Sequence, residues 1–224
     1  MDITVRELRE IIASTIGEDL KAEGFSIDKS LTWLKKTVNK KNKIRVFIDC
    51  YNYPSRLEYR LVFQFLIAEI ESEREKICSF SGIEYQKGFN LIFSEGYFHP
   101  KVKGLEHKYQ SAFTHIVTDL KMVNDTIEDC RKVLREEIIP QFPTFSVLEN
   151  FQEYVLNNYE TFGDDMFTIP SIIAMKLKGE KELKMIINHF WSSLQLDHRP
   201  KDHVLRVYIE NIIAYSKSQQ SLLN

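Results

Sequence analysis

Apolar and polar positions along this chain change rhythm twice, and those two changes define the expected architecture. Val5, Leu8, Ile11, Ile12, Ile16 and Leu20 recur at helical spacing while Arg6, Glu10, Asp19 and Lys21 stay off the stripe, which predicts an amphipathic helix. Thr4 and Glu7 have the spacing of a capping box, Ile3 and Leu8 that of a hydrophobic staple, and Gly24 stands where a left-handed residue would end the helix. From Phe25 the period becomes two. Phe25, Ile27, Leu31 and Trp33 share one parity, and Ile44, Val46, Ile48 and Cys50 repeat the pattern after the polar break Asn39-Lys40-Lys41-Asn42, which is a hairpin signal. Behind the turn Tyr53-Pro54-Ser55, Leu57, Tyr59, Leu61, Phe63, Phe65 and Ile67 alternate with Glu58, Arg60 and Gln64, the strongest strand pattern in the chain. A fourth strand is expected over 89–94, reached through a charged connection that holds Glu69, Glu71, Glu73 and Glu75.

After Pro100 the period returns to 3.6. Leu105, Tyr109, Ala112, Phe113, Ile116, Leu120, Val123, Ile127, Cys130, Leu134 and Ile138 hold one phase, which predicts one long helix or two in register, stopped by Pro140 and Pro143. Ser146 and Glu149 have capping-box spacing for a helix reaching about residue 158, Gly163 breaks the chain, and Pro170 and Gly179 suit the first turn and the end of a short helix. Two more helices are expected over 180–194 and 201–216. The fold class is therefore α+β, an N-terminal helix packed on an antiparallel β-meander and followed by a mostly helical C-terminal region. The expected division is an α+β sheet domain with its long helix over 1–142 and a helical region over 143–224 packed against it.

Composition narrows the class of partners. The 224 residues carry 30 basic and 32 acidic side chains, so no whole-chain field steers the protein toward nucleic acid or an anionic membrane. The opening Met-Asp-Ile-Thr-Val-Arg-Glu is charged where a signal peptide needs an apolar run, and no window reaches the ~20 apolar residues of a membrane span. A cytoplasmic location without membrane association is expected. Cys50, Cys78 and Cys130 are odd in number and lack CxxC spacing, so reduced, buried thiols are expected rather than a disulfide framework or a zinc site.

Leu20-Lys21-Ala22-Glu23-Gly24-Phe25, the meander behind it, and Glu137-Ile138-Ile139-Pro140 with Phe142 and Phe145 resemble a bacterial family described only as a domain of unknown function. Its members open with Leu-Lys-x-x-Gly-Phe before the sheet and carry a Pro-Phe element after the long helix. The resemblance covers roughly residues 5 to 160 and implies a bacterial protein of this fold. No functional residue carries over from it.

Candidate chemistry is sparse. His115 and Asp119 are four apart and would meet on one face of a helix, as an oriented imidazole requires, but a third group is missing. His99 and His107 could join them only through the fold, and a ligand pocket or enzyme site near His99 and His115 is one reading. His189, His198 and His203 match no metalloprotease spacing, and the run Glu69 to Glu75 reads as a solvated strand end or turn, since no phosphate loop accompanies it. No cofactor or metal is expected. Lys35, Lys36, Lys40, Lys41, Lys43 and Arg45 bracket the hairpin turn, with Trp33 on the first strand and Tyr51 and Tyr53 after the second. Trp33, Lys40, Lys41, Lys43 and Arg45 are the candidate binding residues. They suit a protein partner, or nucleic acid if the lysines track phosphates and the indole stacks a base, and lysines there also guard a sheet edge. With no catalytic motif in view, a non-enzymatic interaction or immunity-type accessory factor is the leading expectation, acting through the sheet edge or the 69–76 acidic segment.

Overall fold

The structure is a computed structural model, and it describes residues 3–28, 33–88, 90–102, 110, 112–161, 165–198, 200 and 203–221. Leu31, Phe89, Leu105, His107, Tyr109 and Gly163, named above, lie outside the described residues. The chain is α+β. Its elements run α1 (Val5–Ala22), β1 (Ser26–Ile27), β2 (Trp33–Val38), β3 (Asn42–Tyr53), β4 (Arg56–Leu66), α2 (Ala68–Ser81), β5 (Leu91–Ser94), β6 (His115–Val117) and α3 (Leu120–Val133). Then follow α4 (Phe142–Ser146), α5 (Leu148–Asn158), α6 (Asp165–Lys178), α7 (Glu180–Ser193) and α8 (Val204–Ser221). Two compact units result, Met1–Phe65 with Ile92–Pro143, and Leu66–Leu91 with Thr144–Asn224. The segment that carries α2 thus groups with the C-terminal helices rather than with the sheet. Among the described residues no helix is long and apolar enough to cross a membrane.

In the first unit α1 begins as its sequence requires. The Thr4 hydroxyl accepts from the Glu7 amide at 3.2 Å and the Glu7 carboxylate accepts from the Thr4 amide at 2.8 Å, a reciprocal capping box. Gly24, at φ +83°, closes the helix. Leu8, Ile12, Ala13, Ile16 and Leu20 are fully buried. Gly17 lets the helix approach the sheet closely, since a Cβ there would stand 2.7 Å from the Ile27 side chain. The sheet runs β1-β2-β3-β4-β5, with β6 also on β4. Leu34, Ile44, Val46 and Ile48 form its inner face together with Leu57, Tyr59, Leu61, Phe63 and Phe65, each at most 1% exposed. Phe142 closes this core against Phe25, Phe63 and Phe65 at centroid distances of 5.5 to 6.3 Å.

Several expectations need correction. Trp33 does not share the inward parity of Phe25 and Ile27. The chain reverses between β1 and β2, pairing Ser26 with Lys35 and Ile27 with Leu34, so Leu34 points inward and Trp33 outward. The acidic run is no solvated strand end. It lies on α2, where Glu71 and Glu73 are buried. Residues 115–117 are strand rather than helix, and α3 starts only after Asp119, whose carboxylate accepts from the Met122 amide at 2.9 Å. Pro140 and Pro143 do not stop the helical run. A π-helical turn over Leu134–Ile138 widens the register before a tight 3₁₀ turn holds Pro140, moving away the carbonyl that the proline ring would strike.

In the second unit Glu71 accepts hydrogen bonds from the Tyr85 hydroxyl (2.6 Å), the Gly88 amide (2.9 Å) and the Asn90 amide group (2.7 Å), while Glu73 binds Lys76 at 3.1 Å and Lys176 at 2.5 Å. Both carboxylates therefore do structural work within α2's surroundings, joining it to 85–90 and to α6. Helix α5 starts at Val147 without a side-chain cap, so Ser146 and Glu149 do not form the expected box. Phe145, Phe151, Ile172, Ile173, Met175, Ile186, Phe190, Ile209 and Ile212 fill this unit's core, and Pro170 stands inside α6.

Within the first unit, Asp19 of α1 is clamped by Arg131 and Arg135, the Arg131 Nε at 2.9 Å. Burial opposes its ionisation, yet the two guanidinium groups hold its carboxyl below the ordinary value. A folded-state pKa below the unfolded one stabilises above the unfolded value, and that contribution disappears as pH falls through the folded value. Asp19→Asn is expected to cost about 2 kcal/mol near neutral pH. The gap from wild type should begin to narrow as pH falls below about 4 and go on narrowing toward the lower folded value. Urea titrations across pH 3 to 7 measure it, and a gap that does not change with pH would contradict the assignment.

Candidate functional site

Two places in the first unit carry chemistry. The first is the outward face of β2 and β3. The register sets Trp33 opposite Phe47, Lys35 opposite Arg45 and Thr37 opposite Lys43, so one face alternates aromatic and cationic side chains while Leu34, Ile44 and Val46 face the core. The Trp33 ring packs on Phe47 at 4.4 Å, and the Arg45 guanidinium stands over it at 4.5 Å. Lys40 and Lys41 occupy the hairpin tip, where Asn39 and Lys40 take positive φ of 49° and 63°, the turn whose twist matches the strands. Lys40, Lys41 and Lys43 are exposed and make no ion pair among the described residues. Farther along, Arg60 binds Asp49 and the Tyr51 hydroxyl, and Arg56 binds Glu58 at 2.7 Å. The hairpin fold thus gathers all five sequence-predicted binding residues on one strand pair, with the indole half-buried and already engaged.

The second place is buried; His99 and His115 pointed to its neighbourhood in the sequence, but nothing there joined Glu95, His115 and Cys130. β3 runs along one side of β4, and β5 and β6 share the other. Where β5 gives way to a 3₁₀ turn, the Glu95 carboxylate takes over and accepts the Leu61 amide of β4 at 2.9 Å. Glu95 is 0% exposed. Its other oxygen, Oε1, meets His115 Nε2 of β6 in a short contact, and the Cys130 thiol of α3 donates at 3.6 Å to Oε2, which also accepts the Leu61 amide. Tyr59 stacks on the His115 ring at 4.7 Å, and its buried hydroxyl lies beside the Thr126 side chain. His99 packs against Phe113 and His115, with Nε2 3.3 Å from Asp129, which Lys101 also binds.

The electrostatics follow from burial. Burial alone would lift the Glu95 carboxyl, but the charge and hydrogen bond of His115, the Leu61 amide and His99 bring it below the ordinary value. Burial, then the neighbouring Glu95, raises the Cys130 thiol well above its usual range, and burial lifts Cys50 to about 11. Neither thiol is an activated nucleophile. Burial likewise holds the His99 imidazole below its ordinary value.

The remaining expectations separate. His115 and Asp119 do not meet on one helix face, because one is on β6 and the other caps α3. His99 and His115 do come together. In the second unit His189 packs on Tyr159 and Phe190, and His198 is exposed. A groove of about 710 Å³ beside the starts of α1 and α3 is lined by Ile3, Glu7, Ile11, Asp119 and Leu120, but Glu7 and Asp119 are committed to capping. The signals that could have exposed the buried site are local: Thr118-Asp119-Leu120 reads as a helix start, and Gly96 directly follows Glu95. No family model, curated protein or solved structure matches the chain.

Gly96 fixes the position of Glu95. A Cβ on it would stand 2.0 Å from the Gln110 carbonyl oxygen and 2.7 Å from Phe113 Cβ, and a backbone oxygen cannot rotate away. Gly96→Ala is expected to lose about 3 kcal/mol by overpacking. Gly88→Ala, where nothing lies within 4 Å, should stay within about 0.5 kcal/mol of wild type. Denaturant midpoints compare them, and equal stability of the two variants would contradict the close approach.

Proposed function

We propose that this chain is a non-enzymatic interaction module that holds an acidic protein surface against the outward face of β2 and β3. What carries the reading is the pairing of a positioned aromatic with unneutralised cations: Trp33 is held by Phe47 and Arg45, and Lys40, Lys41 and Lys43 stand beyond it without acidic partners among the described residues. Interfaces concentrate affinity in such Trp and Arg anchors, and a rim of like charge speeds encounter with a complementary surface and rejects others. The acidic segment considered from sequence is a weaker surface, since Glu71 and Glu73 are spent on internal bonds. The alternative, nucleic acid, is weaker because Arg45 over the Trp33 ring at 4.5 Å leaves less of the indole face to stack on a base. The proposal includes a bacterial, cytoplasmic setting, supported by the family resemblance and by the three free thiols.

The test titrates wild type and the triple variant Lys40→Glu, Lys41→Glu, Lys43→Glu with poly-glutamate and with a single-stranded oligonucleotide of equal charge. Wild type is expected to prefer the polypeptide. The variant should bind it about tenfold more weakly, as three exposed ion pairs at roughly 0.5 kcal/mol each would give. Unchanged binding by the variant, or tighter binding of the oligonucleotide, overturns the reading. If the lysines served only to protect the sheet edge, the variant would aggregate without any binding difference.

A further inference from the structure

The buried cluster in the first unit has the composition of a metal site. Glu95, His115 and Cys130 each offer one ligand atom, these atoms all lie within 4.8 Å of one another, and all three residues are buried. They arrive from three elements: the turn after β5, strand β6 and helix α3. Beside them the Tyr59 ring is stacked against His115, its buried hydroxyl neighboured by the Thr126 side chain. A carboxylate, an imidazole and a thiol converging from separate elements in a place closed to solvent is the geometry that a bound ion requires.

We propose that Glu95, His115 and Cys130 bind a single zinc-class divalent cation. The donor set selects the ion. Calcium and magnesium take oxygen ligands, whereas a thiolate, an imidazole and a carboxylate together suit Zn²⁺, with typical ligand distances of about 2.0 to 2.3 Å. Charge favours it as well. A carboxylate and a thiolate with a neutral imidazole balance the 2+ of the ion, leaving a neutral centre in a place where net charge is costly. Binding transfers the Cys130 sulfur lone pair to the ion and releases the thiol proton to solvent, together with any proton that His115 Nε2 shares with Glu95. Three protein ligands leave a fourth position open, as zinc sites with three protein ligands do for a water or a further ligand. The outer shell is also present, with the Leu61 amide on Glu95 and the Phe113 ring edge-on to His115 at 5.1 Å. The inference is independent of the sheet-face reading and stands on different residues.

Co²⁺ is the probe, because a cobalt–thiolate bond gives a charge-transfer absorption that oxygen and nitrogen ligands do not. The full chain is refolded with one equivalent of Co²⁺, alongside Cys130→Ser and the double variant Cys50→Ser, Cys78→Ser. The thiolate band is expected in wild type and in the double variant, which keeps Cys130 as its sole thiol, and it should vanish in Cys130→Ser. Zn²⁺ should displace the cobalt and raise the thermal midpoint of the double variant by about 5 °C. His115→Gln should weaken cobalt binding at least about tenfold. Absence of the band in wild type, or its loss in the double variant, overturns the proposal. So does its survival in Cys130→Ser, and if that variant fails to fold the double variant alone decides.

Discussion

A carboxylate cut off from water holds the first unit together at its least regular point. The edge of β4 is shared by two short strands, and between them the ladder has a gap that Glu95 fills by accepting the Leu61 amide. An amide buried there without a partner would cost about 1 to 3 kcal/mol, and the carboxylate, being charged, would cost more without His115 and the Cys130 thiol. Each group is satisfied by the others, so strand, turn and helix are fixed by one polar knot inside an apolar core. Gly96 makes the approach possible, because no side chain fits between its backbone and the Gln110 carbonyl.

From that knot the sheet's two faces acquire different roles. The inward alternation of Leu57, Tyr59, Leu61, Phe63 and Phe65 buries five large side chains on β4 alone, against which α1 supplies Leu8, Ile12 and Ile16. The period of two then forces Trp33, Lys35, Lys43 and Arg45 to the other side. A basic and aromatic outer face is the geometric consequence of a well-packed inner one, and it is the face on which the interaction proposal rests. The polar knot, by contrast, lies wholly inside, where an ion rather than a macromolecule is the fitting occupant.

Elements whose rhythm persists over many residues were legible in the sequence. The α1 stripe with its Thr4–Glu7 box, the β2–β3 hairpin around Asn39-Lys40-Lys41 and the alternation of β4 all follow from periodicity and local capping. Elements whose rhythm is short or masked were not. β6 has three residues, and Phe113, Ile116 and Leu120 also fit a helical phase, so the helix was extended back through a strand. α2 was hidden because Glu71 and Glu73 look solvated until the tertiary donors Tyr85, Asn90 and Lys176 are known. His99 and His115 marked the neighbourhood of the buried site, but its cluster could not be read for a related reason. Glu95 meets partners 34, 20 and 35 residues away, and no spacing rule links such positions. Trp33, Lys40, Lys41, Lys43 and Arg45 were accessible because a hairpin is local and its two strands bring neighbours in sequence side by side.

Native-state hydrogen exchange at the Leu61 amide tests the central claim most directly. If Glu95 completes the β4 edge, this amide exchanges as slowly as those of Phe63 and Ile48, near the rate set by global unfolding, and Glu95→Ala speeds it selectively. A Leu61 amide that exchanges in wild type at the rate of an exposed loop, while its strand neighbours stay protected, would contradict the account.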